Sequence, residues 1–560
     1  MNGPHSRPLT LLERPLPRVV PHRRRWRAVA VIVVVLVYLA GISGRWWIGN
    51  DTGLYLNLAR NLLRGEGYTI AGRAHTMVPP GFPVLLAGPM GLGADGFGAL
   101  NAAMCLMGLA AAGTAYLLLR ELVHPDWALP VALLAALSRE MVRRSGELLS
   151  DVPFALLVLA GLWLYLRGLR RSGARRGGWE AGSLLLVLSC TVRLAGAPLA
   201  AAAAIGLVLS ARGHRLRAVA NAAIVLALLA GAVAVGHHYY TADRDGAATG
   251  QAGAFASALT TAGWRYWLGR FAGHFYYASG QFSRLVLSQR MPLPLCMAVL
   301  IAPVVVAMVR RLRRREFFTP VVVAGYVGAI LLAGVTTRYF LPLLPVLLLY
   351  LLEGYGRLFE LIRRRRPASA ARAMAVLMAV VLAANLPLTA RTVYRRHRGE
   401  GPIATQGRRY RGLLAAADHL RRHKAPGDAA WAPQPVGYLA DVPCPLPTST
   451  QKLTRPDDDA LARLFRRRRV RWVVLDVGSI DLPLEERVRD YVRAAGEPAF
   501  AAGRFHVYAL DARGRPTTRP GSRPATRAAP PTDAPATAPT AAAPAGPVSV
   551  CRTAGGDGRL

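Results

Sequence analysis

The chain has 560 residues, 53% of them hydrophobic, and a mean hydropathy of +0.27, which excludes an ordinary soluble globule. Its formal net charge of +39 would suit nucleic acid if it were gathered on one compact domain. Instead the arginines cluster between apolar runs and in a Pro/Ala/Thr-rich C-terminal stretch, so nucleic acid is excluded as a partner. Cys105, Cys190, Cys296, Cys444 and Cys551 show neither metal-ligand spacing nor a disulfide framework.

Residues 1–27 are polar and basic and read as a cytoplasmic segment. Ala28–Ser43 is the first expected span, retained because no small-residue cleavage site follows it, and Trp46 and Trp47 read as its interfacial anchor. An outer loop of about 45–97 then carries its own helix after Asp51 and the rigid run Pro79-Pro80-Gly81-Phe82-Pro83. Phe97–Leu119, Trp127–Leu137 and Val152–Leu166 read as the next spans, and Ala181–Val192 and Leu194–Leu209 as a pair broken at Arg193. Ala218–Gly236 follows, then a second, aromatic-rich outer loop of about 237–291 that includes His237, His238 and His274. Pro292–Val309, Phe317–Val335, Phe340–Tyr355 and Ala373–Leu388 complete the set.

Placing the dense arginine clusters on one side predicts an α-helical polytopic membrane protein of about 11 spans, N-terminus cytoplasmic and C-terminus extracytoplasmic. The membrane domain is expected over 28–390. From residue 391 helical and strand patterns alternate: helices at Tyr410–His423, Asp457–Arg468 and Leu484–Ala495, strands at Arg471–Asp476 and Arg504–Leu510. They predict a small extracytoplasmic α/β domain over 391–511, with a disordered tail over 512–560.

Two acidic positions fall at expected outer ends of spans, Asp51 and the pair Glu147 and Asp151. Asp51 precedes a helix and could serve only as its N-cap. Asp151, beside Ser150 and Pro153, could be no more than a favourable charge at a helix start. Ionisable groups at such depth are costly, however, and two acidic sites on one side could share an outward-facing cavity. Arg139, Arg143, Arg144, Arg193 and Arg338 also map to the outer side, against the positive-inside bias. Arg193 and Arg338 sit within apolar hairpins, where a guanidinium suits a phosphate or pairs with Asp151. Tyr55, in the first loop, could stack on a sugar or belong to an interfacial belt; His75 lies on the same loop and Tyr339 in the outer turn beside Arg338. No metal-ligand cluster stands out.

Taken together, the early span, Asp51 with a tyrosine four residues on, PPGFP, SGELLSD at 145–151, Arg193 and RYFLPLLP at 338–345 resemble the GT-C superfamily of membrane glycosyltransferases. The members it most resembles use polyprenyl-phosphate sugars: protein mannosyltransferases, aminoarabinose transferases and RgtA/B/C/D-like lipopolysaccharide-core transferases. Where many of these carry an Asp-Glu pair in the first loop, this chain has Asn50-Asp51. The resemblance implies a GT-C-like catalytic domain in a plasma (inner) membrane. It implies inverting transfer from a polyprenyl-phosphate-linked sugar donor to a hydroxyl on a lipid, glycan or protein acceptor. Asp51, with Asp151 or Glu147, would be catalytic, and Tyr55, His75, Arg193, Arg338 and Tyr339 would bind substrate. A divalent cation is left open. A lipid or glycan transporter and a non-enzymatic envelope protein are the competing readings.

Overall fold

The structure is a computed structural model that describes residue 12, residues 23–44 and residues 51–517, with gaps at 71–72, 76–77, 171–177, 212–213, 243–262, 335, 363–366, 399–405, 445–456, 477–482 and 495. Trp46, Trp47, Asn50, the side chains of His237 and His238, and the tail beyond Thr517 lie outside the described residues.

The first helix, α1 (Arg23–Leu39), begins before the expected apolar boundary at Ala28 because nothing stops the basic segment from continuing the helix. The first loop then holds α2 (Thr52–Leu63), a two-residue hairpin of β1 (Thr69–Ile70) and β2 (Arg73–Ala74), and α3 (Gly81–Gly91). Next come α4 (Phe97–Arg120), α5 (Pro125–Ala136), the short α6 (Arg139–Ser145) and α7 (Asp151–Arg170). The helices α8 (Gly178–Val192) and α9 (Gly196–Ser210) part at Arg193, and α10 (Arg215–Ala242) follows.

Much of the second loop is one helix, α11 (Trp264–Leu287), which the aromatic composition alone did not reveal. Its exposed Trp264, Tyr266, Phe271, Tyr276 and Tyr277 share the helix with a buried Phe282, Leu285 and Val286. The bundle closes with α12 (Leu293–Arg313), α13 (Phe318–Ala333), a 3₁₀ turn at Thr337–Leu343 leading into α14 (Leu344–Ile362), and α15 (Pro367–His397).

Among the described residues five helices are long and apolar enough to cross a membrane, α4, α7, α12, the Thr337–Phe359 run and α15. The bundle also turns apolar side chains outward: Val31, Ile32 and Leu36 on α1, Leu184 on α8, Ile205 on α9 and Ile224 on α10 are exposed. In water this surface would be a continuous liability; in lipid it is the solvated face. The chain is an integral membrane protein. Its helices approach through small residues, since lipid tails remove the hydrophobic drive for association. A Cβ at Gly161 of α7 would lie 2.7 Å from Leu186 of α8, and one at Gly354 of α14 would lie 2.2 Å from the Pro303 carbonyl oxygen of α12.

The C-terminal part contains α16 (Gln406–His423), β3 (Ala429–Trp431), α17 (Gln434–Ala440), α18 (Asp458–Arg467), β4 (Val470–Asp476), α19 (Pro483–Arg493), β5 (Phe500–Ala502) and β6 (Phe505–Ala509). The sheet order is β3-β4-β6-β5, with β3–β4 parallel and the other two pairs antiparallel. Period-2 alternation sends Val473, Leu475 and Tyr508 to one face, against Leu461 and Phe465 of α18 and Val488 and Val492 of α19. Val474, Phe505 and Val507 go to the other, against Leu413, Ala416 and Leu420 of α16 and Val436 of α17. The result is a small α/β unit with helices on both sheet faces, and the chain stays ordered past Asp511 through a bridge between Leu510 and Pro516.

This unit grips the first loop. Arg60, near the C-terminus of α2, donates to the Tyr438 carbonyl at 3.0 Å and to Asp441 at 3.1 Å, and its guanidinium lies 3.9 Å from the Tyr438 ring centroid. Arg64 reaches the same Asp441 at 3.1 Å.

Candidate active site

Asp51 occupies the N-cap position of α2 without acting as a cap. Its backbone is already helical (φ −91°, ψ −9°) and its side chain makes no capping hydrogen bond. The carboxylate is 41% exposed and lies 3.5 Å from the guanidinium of Arg338, which enters from the 3₁₀ turn before α14. One turn further along α2, the hydroxyl of Tyr55 is 3.3 Å from Ser150 Oγ. The starts of α2 and α7 are thereby joined, although 95 residues separate the two side chains in the chain.

Asp151 begins α7 and its side chain is fully buried. Arg193, released from helical geometry by the break between α8 and α9, donates to Asp151 Oδ1 at 2.6 Å and to Ser150 Oγ at 3.0 Å. Arg144 stands 3.8 Å from Asp151 Oδ2, an oxygen with no hydrogen-bond partner among the described residues. A carboxylate this deep persists as a charge only beside such cations. Glu147 stands a layer behind, 2.8 Å from Arg144 and 3.8 Å from Arg143. Burial disfavours the charge on Arg144, but Glu147, Asp151 and Glu140 outweigh it and hold its pKa above the usual arginine range.

The two halves meet at one aromatic ring. The guanidinium carbons of Arg193 and Arg338 lie 5.1 and 5.8 Å from the ring centroid of Tyr339, within cation–π range. The backbone carbonyl of Tyr339 is fixed by the Tyr326 hydroxyl at 3.1 Å. The charges therefore run in one chain from Asp51 through Arg338, Arg193, Asp151 and Arg144 to Glu147, with the two like-charged guanidinium groups meeting over Tyr339.

The PPGFP run sets where α2 sits. Phe82 is completely buried and meets the Tyr55 ring edge-on at 4.9 Å between centroids. Gly81 fits only because it lacks a Cβ, which would fall 2.5 Å from Thr191 Oγ1 and 2.7 Å from the Thr191 carbonyl oxygen at the end of α8.

Asp51, Tyr55, Glu147, Asp151, Arg193, Arg338 and Tyr339 thus belong to one connected cluster. His75 makes its contacts within its own loop: its Nε2 accepts from the Val78 amide at 3.3 Å and its ring packs on Tyr68 at 5.7 Å. Burial pushes its pKa down to about 4, so it is neutral at pH 7. His274 is likewise occupied, its Nδ1 lying 2.6 Å from the Leu331 carbonyl oxygen. Ser150 and Phe82 belong to the cluster but were missed as site residues. SGELLSD and PPGFP contain them, but Ser150 reads as an ordinary helix cap from sequence. Among the described residues no group of three or more His, Cys, Asp or Glu side chains could hold a metal ion.

No protein-family model matches this sequence, and no curated protein does. Solved structures do match in fold. One is the archaeal oligosaccharyltransferase AglB from Archaeoglobus fulgidus in complex with an inhibitory peptide and a dolichol-phosphate (TM-score 0.54, 15% identity, covering 82% of this chain and 70% of that one). Another is the A. fulgidus oligosaccharyltransferase in complex with Zn and sulfate (TM-score 0.52, 15% identity, covering 80% and 68%). A third is ArnT from Cupriavidus metallidurans bound to undecaprenyl phosphate (TM-score 0.52, 15% identity, covering 87% and 98%). The chain shares the fold of these structures.

Proposed function

We propose that the protein is a membrane glycosyltransferase that moves a sugar from a polyprenyl-phosphate carrier to an acceptor hydroxyl, with inversion. The observation that carries this reading is Asp51, a carboxylate free of any capping bond, open to solvent, and facing Arg338. The bound dolichol-phosphate, undecaprenyl phosphate and peptide of the similar structures agree with a lipid-phosphate donor and a separate acceptor.

In the proposed step Asp51 accepts the proton of the acceptor hydroxyl as its oxygen attacks the anomeric carbon. The bond from that carbon to the carrier phosphate breaks, its electron pair leaves with the phosphate, and Arg338 stabilises the developing charge. Asp151 binds Arg193 and so holds the second guanidinium against Tyr339. Glu147 acts through Arg144. Tyr55 ties α2 to Ser150, Tyr339 carries the two guanidinium groups, and His75 supports the first loop rather than touching substrate.

Asp51, Asp151 and Glu147 each face a guanidinium, so the described carboxylates do not form a donor set for a divalent cation, and no step passes through one. The transport alternative finds no support, because the network lies at helix ends rather than at discontinuous helices in mid-span. The positive-inside pattern supports a reading in which this end of the bundle, with the first loop over about 45–97 and the α/β unit over 391–511, is extracytoplasmic.

The test is transfer by full-length protein from a labelled polyprenyl-phosphate sugar. Asp51→Asn is expected to lower the rate by about 10²–10⁴-fold with unchanged membrane insertion and unfolding midpoint. Near-wild-type transfer by that variant would refute the role of Asp51.

A further inference from the structure

The α/β unit reaches the helical bundle through one short helix, α17, which belongs to both hydrophobic cores. Its Val436 and Ala440 pack in the core on one face of the sheet. Its Tyr438, 6% exposed, is part of the bundle core instead. The Tyr438 ring lies 6.4 Å from that of Phe97 at the start of α4, and its centroid lies 3.9 Å from the Arg60 guanidinium carbon.

Asp441 ends α17 in the left-handed region (φ 52°, ψ 47°), which an aspartate adopts only where its surroundings enforce it. The unit does so from its own side. The Val442 amide donates to the Gly437 carbonyl at 3.0 Å, the Ala430 amide of β3 donates to the Pro443 carbonyl at 2.9 Å, and Lys424, just past α16, donates to the Asp441 carbonyl. Gly437 lets this turn close, since a Cβ there would fall 2.2 Å from Cys444 Sγ and 3.0 Å from the Val442 carbonyl oxygen. So held, Asp441 presents one carboxylate oxygen to two guanidinium groups a helical turn apart on α2 and just past it, Arg60 and Arg64, each at 3.1 Å. Arg60 also donates to the Tyr438 carbonyl at 3.0 Å.

These contacts act at the end of α2 opposite to Asp51. At about 1.5 Å per residue, Asp51 lies roughly 6 Å along the helix before Tyr55, and Arg60 lies roughly 7.5 Å beyond it. Tyr55 is the fulcrum, because its ring packs on the buried Phe82 and its hydroxyl meets Ser150. A rigid helix pivoting there turns a shift of about 1 Å at Arg60 into about 0.8 Å at Asp51. Misplacing a reacting group by about 1 Å costs on the order of 10²-fold in rate. For global stability the same contacts count for little, since ion pairs as exposed as these are screened by solvent. The clamp is placed to govern geometry rather than folding.

We propose that Asp441 is a positioning residue: with Tyr438 it sets the tilt of α2 and so holds Asp51 at Arg338, which makes the α/β unit part of the transfer machinery. This rests on the role given to Asp51 above, and the experiment separates the two.

Full-length protein in bilayers is assayed for hydrogen exchange of the α2 amides and for kcat and KM of transfer from a labelled polyprenyl-phosphate sugar. Asp441→Asn removes the charge, while asparagine keeps the left-handed turn. It is expected to speed exchange over residues 52–63 by about tenfold and to lower kcat by about 3–10-fold, with KM and the unfolding midpoint near wild type. Asp441→Glu, which keeps the charge, is expected to restore most of both. Arg60→Gln/Arg64→Gln should match Asp441→Asn, and the triple variant should be no slower than either, because one clamp is lost only once. Wild-type α2 exchange in Asp441→Asn would overturn the proposal, as would additive losses in the triple variant. So would a wild-type kcat in Asp441→Asn when Asp51→Asn has lost transfer. If Asp51→Asn transfers as wild type does, the role of Asp51 fails, and α2 exchange alone decides whether Asp441 holds the helix.

Discussion

Residue by residue, the cluster is governed by what each charge would do without its partner. Asp151 is fully buried and is paired with Arg193 at 2.6 Å, with Arg144 more distant at 3.8 Å. Removing one member of a buried pair strands the other, at a cost of about 3–5 kcal/mol. Arg193→Leu is therefore expected to lower stability by about 3 kcal/mol, the low end because Arg144 remains, as read by thermal unfolding in detergent. Arg193→Lys should lose less, since a charge is kept while the second bond to Ser150 is lost. His75 gives a pH signature. Its folded pKa of about 4 lies below the ordinary 6.5, so between those values the unfolded chain binds a proton that the folded chain does not. The His75 contribution to stability should fall as pH drops from 6.5 to about 4 and then level off. Unfolding midpoints measured across that range should lose this component in His75→Phe, and an identical pH profile in that variant would refute it.

At the scale of elements, the site depends on two docked segments. The PPGFP run wedges Gly81 against Thr191 and sets Phe82 under Tyr55. Because the obstruction is Thr191 backbone as well as its side chain, Gly81→Ala cannot be relieved by a rotamer change. It is expected to cost about 1–3 kcal/mol and to displace α2, lowering transfer together with stability. A variant with a wild-type unfolding midpoint would show that the wedge is softer than the geometry indicates. At the other end of α2, Arg60 and Arg64 converge on Asp441. Burial works against the Asp441 charge, but Arg64, Arg60 and Lys424 outweigh it and hold its carboxyl below the usual range. The helix that carries Asp51 is thus held at both ends.

For the whole molecule, the division of charge is the organising fact. Carboxylates at the active end face guanidinium groups rather than one another, so cationic side chains already supply the field that a divalent ion would otherwise supply. Transfer is expected to change less than about twofold when the protein is assayed in excess chelator. Loss of transfer on chelation and its return with a divalent ion would contradict the arginine-based arrangement.

The helical spans, the basic loops and the two acidic positions were legible from the chain because they rest on local properties. An apolar run of bilayer length must hydrogen-bond its own backbone, and loop arginines report which side they occupy. In the α/β unit the stronger patterns gave α16, α18, α19, β4 and β6, while β3, β5 and α17 were too short to register. Hydropathy equally missed that the aromatic loop contains the helix α11, whose apolar residues are exposed in its first half and buried in its second.

What the sequence by itself determined is a helical membrane protein with acidic groups and arginines at the starts and breaks of its helices. Only the tertiary structure decided that Asp51 does not cap its helix, that Ser150 bridges Tyr55 and Arg193, and that Arg193 and Arg338 meet over Tyr339. The reason is physical: propensity and hydropathy act over a few turns of chain, whereas a charge chooses its partner in space, across whatever sequence distance the packing of helices closes.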